Sequence, residues 1–397
     1  MVYLILALAV PALFYIVLIG GAAVGFSRTR SAGSRADDGP AWDGRPLPTV
    51  SVIIPARNEA SSIRACIEAI LGNAYPEALL EIVVVDDGSQ DRTAEVVRSY
   101  ARQRAITTVE GGDEELPIVR LVCIPNDPDR RTAHKKEALE RGVAKARGEI
   151  VLTTDADCVP ARTWIRSMVD AFDDDAGMVT GPVLYRRSGT AFGDLQALEF
   201  LGLVALGAGL VELGRPHLCN SANLAYRRAA YVEAGGYEGL EDVSTGDDEM
   251  LMHRIAYETD WEVTTCMRPE AAVTTDSNAS LAAFFRQRKR WASAHARYPH
   301  LRLRAISLLC YLFYLELTIA AIAAFLRPEL GGIVATFFVL KVAVEGAVLV
   351  PAARRFDRSD LLLWLGAAEL VHLVYILVIG AAGTFGGYEW KGRRVPR

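Results

Sequence analysis

The stretch LTTDADC sets Asp155 and Asp157 one residue apart, directly after a β-branched run. Two carboxylates so spaced can offer hard oxygen ligands to Mg2+ or Mn2+, and such an ion can bridge a diphosphate and offset the charge of a leaving group. The same spacing also makes ordinary turns. Asp86 and Asp87, followed by Gly88 and Ser89, read as well as a polar turn, since each of these residue types favours one. Asp247, Asp248 and Glu249 follow Gly246 and read as a solvated helix start, where acids complement the helix dipole. No Gly-x-Gly-x-x-Gly follows the first strand and no P-loop is present, which removes the usual fingerprints of dinucleotide and Walker-type phosphate binding. The six cysteines stand singly, with no Cys-x-x-Cys pair and no histidine at metal-ligand spacing, and read as free thiols of a reducing compartment.

What must position these groups is a run of alternating strands and helices. Short β-branched segments occur at Val50 to Ile54, Ile82 to Val85, Val119 to Cys123 and Ile150 to Thr153. Helical periodicity occupies Ser61 to Leu71, Asp91 to Ala101 and His134 to Arg147, and Gly148 supplies a stop after the last. Such alternation predicts a mostly parallel sheet with flanking helices, whose ligands bind at the carboxyl ends of the strands. The polar clusters fall there. Ala56, Arg57, Asn58 and Glu59 follow the first strand, Asp86 and Asp87 the second, and Asp155 and Asp157 the fourth.

The chain has 397 residues, a hydrophobic fraction of 51% and a formal net charge of -5. No basic run is long enough to track a phosphate backbone, which excludes a nucleic-acid binder. The apolar excess lies at the two ends. Val2 to Phe26 is long enough, at about 1.5 Å per residue, to cross a hydrocarbon core of about 30 Å. Arg28, Arg30 and Arg35 follow it, so the positive-inside rule places the next segment in the cytosol. Three further apolar segments, Ala305 to Leu326, Gly332 to Pro351 and Leu361 to Phe385, have spanning length. Taken as alternating, they put Arg354, Arg355 and Arg358 in the cytosol but Lys391, Arg393, Arg394 and Arg397 outside, so either the tail is an exception or one segment is interfacial or re-entrant. Phe200 to Val211, about a dozen residues, is too short to span and reads as a core helix or the lining of an acceptor groove. Lys341 and Glu345, one helical turn apart, neutralise each other or serve substrate passage.

VSVIIPARNEA, IVVVDDGSQDRT, KKEALERGVAKARGEIVLTTDADC, TGDDEML and QRKRW occur in that order, over roughly residues 49 to 292. The series resembles the ordered motifs of family 2 glycosyltransferases. The resemblance implies a GT-A fold, a nucleotide-diphosphate sugar donor, a divalent metal and inversion at the anomeric carbon. It also implies that Glu59 and Asp87 or Asp86 meet the nucleotide, that Lys135 is the lysine of the K-x-x-A-L element, that Asp155 lies beside the diphosphate and that Asp157 binds the metal. Asp248, in the acidic pair with Asp247, matches the general base, and one well-placed carboxylate suffices to take the proton of an acceptor hydroxyl. Gln287, Arg290 and Trp291 match a Q-x-x-R-W element that holds acceptor and diphosphate. The alternative for that segment is an amphipathic interfacial helix whose Arg286, Arg288 and Lys289 meet lipid headgroups. Two positions depart from the pattern: His134 stands where a glycine is common, and Glu140 where an asparagine often follows Ala-Leu. Asn220 and Asn223 either hydrogen-bond acceptor hydroxyls or cap the next helix.

The expected organisation is a transmembrane anchor (1–26), a linker (27–48), a cytosolic GT-A domain (49–277), an amphipathic interfacial segment (278–304), a transmembrane bundle of about three helices (305–387) and a basic tail (388–397). The expected protein is a multi-pass cell-membrane hexosyltransferase that moves a sugar from a nucleotide-diphosphate donor, UDP-linked, to a lipid-like acceptor hydroxyl. A processive polysaccharide synthase, which would deliver a glycan, is the alternative that the Q-x-x-R-W element favours. A non-catalytic nucleotide-sugar-binding membrane protein has no need of Asp155, Asp157 and Asp248 together. Spacing carries no signal for which hexose is used or for oligomeric state.

Overall fold

A computed structural model describes residues 2–29, 46–105, 118–126, 134–240, 243, 245–385, 387–390 and 393–395. Most of the linker, with Arg30 and Arg35, and Lys391 and Arg397 of the basic tail lie outside the described residues. The elements run α1 (Val2–Arg28), β1 (Val50–Ala56), α2 (Ile63–Leu71), β2 (Leu80–Asp87), α3 (Thr93–Ala105), β3 (Val119–Ile124), α4 (His134–Lys145) and β4 (Ile150–Thr153). They continue through β5 (Val159–Pro160), α5 (Trp164–Val169), β6 (Ala176–Thr180), β7 (Val183–Tyr185), α6 (Ala191–Glu212), β8 (Leu224–Arg227), α7 (Arg228–Glu233), α8 (Asp247–Glu258), β9 (Glu262–Thr265) and β10 (Val273–Thr275). The chain closes with α9 (Leu281–His295), α10 (Leu301–Leu326), α11 (Gly331–Arg355), α12 (Leu365–Phe385), β11 (Tyr388–Trp390) and β12 (Arg393–Val395). Two compact units result: Arg30–Arg186 with Cys219–Asp276, and Met1–Thr29 with Arg187–Leu218 and Ser277–Arg397.

The first unit is a mixed α/β body around a seven-stranded sheet of order β3-β2-β1-β4-β8-β6-β9. β1 pairs in parallel with β2 and β4, and β2 with β3, so the first four strands point their carboxyl ends one way. β1 and β2 are buried over nearly their whole length, as strands covered on both faces are. The four strands and three helices expected from periodicity all form. What alternation did not reveal is the second half, where β8 runs antiparallel between β4 and β6 and a small sheet joins β5, β10 and β7. These strands are two to five residues long, too short for a periodic signal.

Among the described residues of the second unit, five helical stretches are long and apolar enough to cross a membrane: Leu8–Arg28, Ala191–Glu212, Leu301–Leu326, Pro328–Arg355 and Ser359–Phe385. Four match the segments expected. The second corrects the reading of Phe200 to Val211 as too short, because α6 begins at Ala191 and has 22 residues. Its apolar run is interrupted by Gln196 and Glu199, whose polar atoms are bonded to Asn278 and Arg288 within the unit. Length alone would make α6 a span, yet the sheet forbids a single crossing. β8, after α6, shares a ladder with β4, before it, so the chain must enter and leave α6 on one side of any bilayer.

α6 meets α1 backbone to backbone. A Cβ on Gly25 would stand 2.0 Å from the carbonyl oxygen of Gly209, and one on Gly209 2.0 Å from that of Ala22. Small residues permit such approach between helices, and a methyl group there has nowhere to go. Gly209→Ala is expected to lower the thermal midpoint in detergent, at a cost of about 1–3 kcal/mol or more. Gly331→Ala, where the new Cβ meets no atom within 4 Å, should leave it unchanged. Equal midpoints for the two variants would contradict the close crossing.

The same unit buries the side chain of Lys341, which bonds Glu345 at 2.8 Å and also pairs with Glu369 on α12. The Tyr314 hydroxyl donates to Glu345 at 3.1 Å, and that of Tyr15 donates to the same oxygen. The mutual neutralisation expected for Lys341 and Glu345 is present, with Glu369 as a third partner. Ionisable groups in an apolar bundle are costly unless paired in this way.

Candidate active site

The ends of the first four strands and the start of α8 bring the acidic clusters to one place. Its centre is Lys135, in the first turn of α4. The ammonium lies 2.8 Å from Asp155 Oδ1 and 3.6 Å from Asp247 Oδ2, and donates to Ser221 Oγ at 2.7 Å. Burial disfavours its charge, but the Asp155 and Asp247 carboxylates outweigh that and hold the amine above its ordinary pKa. Gly246, in the left-handed region at φ 67°, lets the chain enter α8 with Asp247 and Asp248 in its first turn. Asp248 Oδ2 accepts from the Ser221 amide at 3.0 Å, and Oδ1 from the Glu249 amide at 2.9 Å. Burial and the adjacent Asp247 carboxylate push the Asp248 carboxyl up to about 6, against Lys135 and the two amides, which lower it. Lys135, Asp155, Asp247 and Asp248 therefore form one electrostatic cluster.

Two members of this arrangement carry no motif of their own. Ser221 bonds Lys135 through its hydroxyl and Asp248 through its amide, and its carbonyl accepts from Thr153 Oγ1 at 2.6 Å at the end of β4. Lys136, buried, turns away from Lys135 and donates to the carbonyls of Val243 and Thr245, the latter at 3.0 Å. It thereby ties α4 to the segment that leads into α8. The sequence signal was the adjacent pair of lysines at a helix start, since a buried ammonium is retained only where carbonyls or acids receive it. Lys136→Met is expected to cost about 1–3 kcal/mol, because it strips buried carbonyls of their donor. A denaturant titration of the variant would measure it, and an unchanged midpoint would refute the tether.

The first two loops are stitched to each other. Buried Arg57 donates from Nη1 to the carbonyls of Asp87, at 2.5 Å, and Gly88, at 3.1 Å. Asn58, left-handed at φ 54°, donates its amide to Ser89 Oγ at 2.9 Å and accepts from the Gln90 amide at 2.8 Å. Asp86 Oδ1 accepts from the amide and hydroxyl of Ser89, so one oxygen of Asp86 closes the turn that the sequence allowed. Asp87 is 2% exposed with His134 Nδ1 4.0 Å from its Oδ2. Glu59 donates its amide to Thr93 Oγ1 at 2.8 Å, and its Oε2 accepts from the Ser62 hydroxyl at 2.6 Å.

Asp157 is exposed at the mouth of the fourth loop and accepts from the Cys158 thiol at 3.5 Å. Cys66 donates to the carbonyl of Asp155 at 3.6 Å. Burial and the nearby aspartates push both thiols up, which keeps them protonated donors. All six cysteines are free. Among the described residues no group of three or more histidine, cysteine or acidic side chains stands together as a metal cage. A mode in which one or two carboxylates hold Mg2+ or Mn2+ and ligand phosphates complete the shell needs no such cage, and Asp155 and Asp157 are the carboxylates that would supply it.

Gln287, Arg290 and Trp291 belong to α9 in the other unit. There the structure corrects one expectation: Arg288 does not face headgroups but is buried, its guanidinium paired with Glu199. A buried guanidinium needs a carboxylate, and α6 supplies it. Asn223 is likewise internal, fully buried with its amide on the carbonyls of Pro182 and Ala271 and its oxygen accepting from Trp164 Nε1. Asn220 caps the short turn after it by accepting from the Ala222 amide at 2.9 Å. The capping role therefore holds for Asn220, and neither asparagine has its contacts directed at an acceptor.

The mostly parallel sheet with flanking helices and acidic loops at its strand ends agrees with the GT-A fold that the motif series implied. Profiles described as "Glycosyl transferase family 2" and "Glycosyl transferase family group 2" match residues 51–233 and 150–352. The chain belongs to glycosyltransferase family 2. It is 27% identical over 252 residues to the probable glycosyltransferase YdaM of Bacillus subtilis, a match covering 62% of this chain and 55% of that one. It is 28% identical over 282 residues to an N-acetylglucosaminyltransferase of Rhizobium meliloti, covering 66% and 61%. Over 248 residues it is 23% identical to the poly-beta-1,6-N-acetyl-D-glucosamine synthase of Staphylococcus epidermidis, covering 61% and 53%. The chain thus spans little more than half the length of these relatives. A mannosyltransferase from Pyrobaculum calidifontis, solved with GDP-Man and Mn2+, superposes with a TM-score of 0.57 at 21% identity, covering 93% of this chain and 98% of that one. At that identity the likeness is one of fold.

Proposed function

We propose that the chain is an inverting transferase that moves one sugar from a UDP-linked donor to the hydroxyl of a membrane lipid. The observation that carries the reading is the cluster of Lys135, Asp155, Asp247 and Asp248 in a protein whose other unit is built of apolar helices. In this reading the loops of Glu59, Asp86 and Asp87 receive the nucleotide, Asp155 and Asp157 would hold the divalent ion, and Gln287, Arg290 and Trp291 keep the acceptor role that the resemblance implies. The bound ion would supply positive charge beside the departing diphosphate. Asp248 takes the proton of the acceptor hydroxyl as the oxygen attacks the anomeric carbon, and the bond to the diphosphate breaks on the opposite face. Lys135 holds Asp155 and the base pair at fixed spacing, so that the two carboxylate groups do not drift apart under their own repulsion. Arg57 and Lys136 keep the nucleotide loop and the start of α8 in place.

Single transfer is favoured over processive synthesis by the fate of the polar groups in the apolar unit. Lys341, Glu345, Glu369, Tyr314 and Tyr15 bond each other, whereas a saccharide conduit needs hydrogen-bonding groups turned to its lumen. The synthase reading is kept by the likeness to an enzyme named as a poly-N-acetylglucosamine synthase. Membranes holding the protein, given a panel of nucleotide sugars and divalent ions, would decide by mass analysis of lipid and polymer fractions. A lipid gaining one hexose or N-acetylhexosamine is the expected product. A polymer ladder would establish the synthase, and no product from any donor would sink both.

A further inference from the structure

We infer that Glu199, on α6, is a positioning residue for the reaction: it fixes Arg288, and through Arg288 it sets the side chains of Gln287 and Trp291 that meet the acceptor. The inference rests on the acceptor role proposed above. Its geometry does not. Arg288 is 2% exposed and grips Glu199 with two of its nitrogens, Nε lying 3.2 and 3.1 Å from the two carboxylate oxygens while Nη2 bonds Oε2. Such paired guanidinium contacts fix orientation as well as supply energy. The remaining nitrogen, Nη1, donates to Gln287 Oε1 at 2.9 Å, and the guanidinium carbon stands 4.2 Å from the centre of the Trp291 ring and 4.9 Å from that of Phe284. Arg288 therefore touches both the first and the last residue of the Q-x-x-R-W element, although it is itself one of the two unspecified positions.

The clamp is locked from two further sides. The Tyr375 hydroxyl, on α12, donates to Glu199 Oε1 at 3.0 Å. Gln287 Oε1 also accepts from Asn278 Nδ2 at 2.9 Å, and Asn278 is held in turn by Gln196 on α6, to whose Oε1 its backbone amide donates at 3.0 Å. With both lone pairs of its oxygen engaged, the Gln287 amide has one orientation and not two. The Trp291 ring is wedged by the cation on one side and by Phe200 at 5.7 Å. Removing the Glu199 charge would take from the buried guanidinium the carboxylate that holds it at two nitrogens, and would loosen its hold on both neighbours.

The test compares Glu199→Gln, Glu199→Asp and Tyr375→Phe in the detergent-solubilised full chain. Acceptor KM, donor KM and kcat are measured alongside the 19F spectrum of protein labelled with 5-fluorotryptophan, the Trp291 resonance being assigned by its loss in Trp291→Phe. Glu199→Gln is expected to shift the Trp291 resonance and to raise acceptor KM by about ten- to a hundred-fold, with donor KM changed less than about twofold. Glu199→Asp should restore much of the loss, and Tyr375→Phe should produce a smaller shift in the same direction. An unmoved Trp291 resonance would overturn the clamp. A moved resonance with unchanged acceptor KM would overturn the positioning role and leave the contact purely structural. Wild-type protein inactive on every acceptor would defeat the proposed function instead, while the 19F comparison would still report on the clamp.

Discussion

Replacing Asp248 by Asn is expected to lower kcat by about a hundred- to ten-thousand-fold, the range that general-base assistance contributes, and to leave donor affinity within a few-fold of wild type. The amide keeps the shape of the carboxylate and its acceptor oxygen, but it cannot take a proton. The neighbouring charges make a further demand. Burial and Asp247 push the Asp248 carboxyl up to about 6. A base works only when ionised, so kcat/KM of the wild type should rise with pH through about 6 and flatten above it. In Asp248→Asn the residual rate should lose that acid limb. Donor binding by calorimetry, beside initial rates of nucleotide release from pH 4.5 to 8.5, makes the comparison. Transfer at the wild-type rate by the purified variant would remove Asp248 from the mechanism.

Asp157→Asn is expected to fail earlier, at donor binding. Asp157 and Asp155 are the two carboxylates proposed to hold the ion, and with no larger acidic or histidine group among the described residues to stand in, neutralising one halves that anionic ligand set. Changes merely next to a metal ligand already cost about ten- to a hundred-fold in affinity, so loss of a ligand should cost at least about a hundred-fold. The signature is its dependence on the ion. A chelator should reduce wild-type donor affinity to the level of the variant and leave the variant where it is, measured by calorimetry with and without Mn2+. Equal donor affinity in the two proteins at saturating Mn2+ would exclude Asp157 as a ligand.

Much of the first unit was written in local pattern. Strands β1, β2 and β4 are largely buried and rich in Val and Ile, β3 is a more exposed edge strand of the same kind, and amphipathic spacing marked α2 to α4, so each element could be read where it stands. The acidic groups at the strand ends followed from parallel alternation alone. The five apolar stretches in the second unit were legible wherever the apolar run was unbroken, and α6 was misjudged because Gln196 and Glu199 interrupt it.

What the sequence determined by itself was the family and the order of the acidic loops, because motifs lie within single segments and a parallel alternation puts its loops on one rim. Tertiary structure alone decided which charges meet. Lys135 joins Asp155 to Asp247 across about ninety residues of chain, Lys136 turns the other way to carry the start of α8, and Arg288 leaves the membrane surface for Glu199. Pairings of this kind are set by the folded backbone, which lowers the cost of burying a charge only where a partner from another segment arrives. Spacing along the chain holds no record of that arrival.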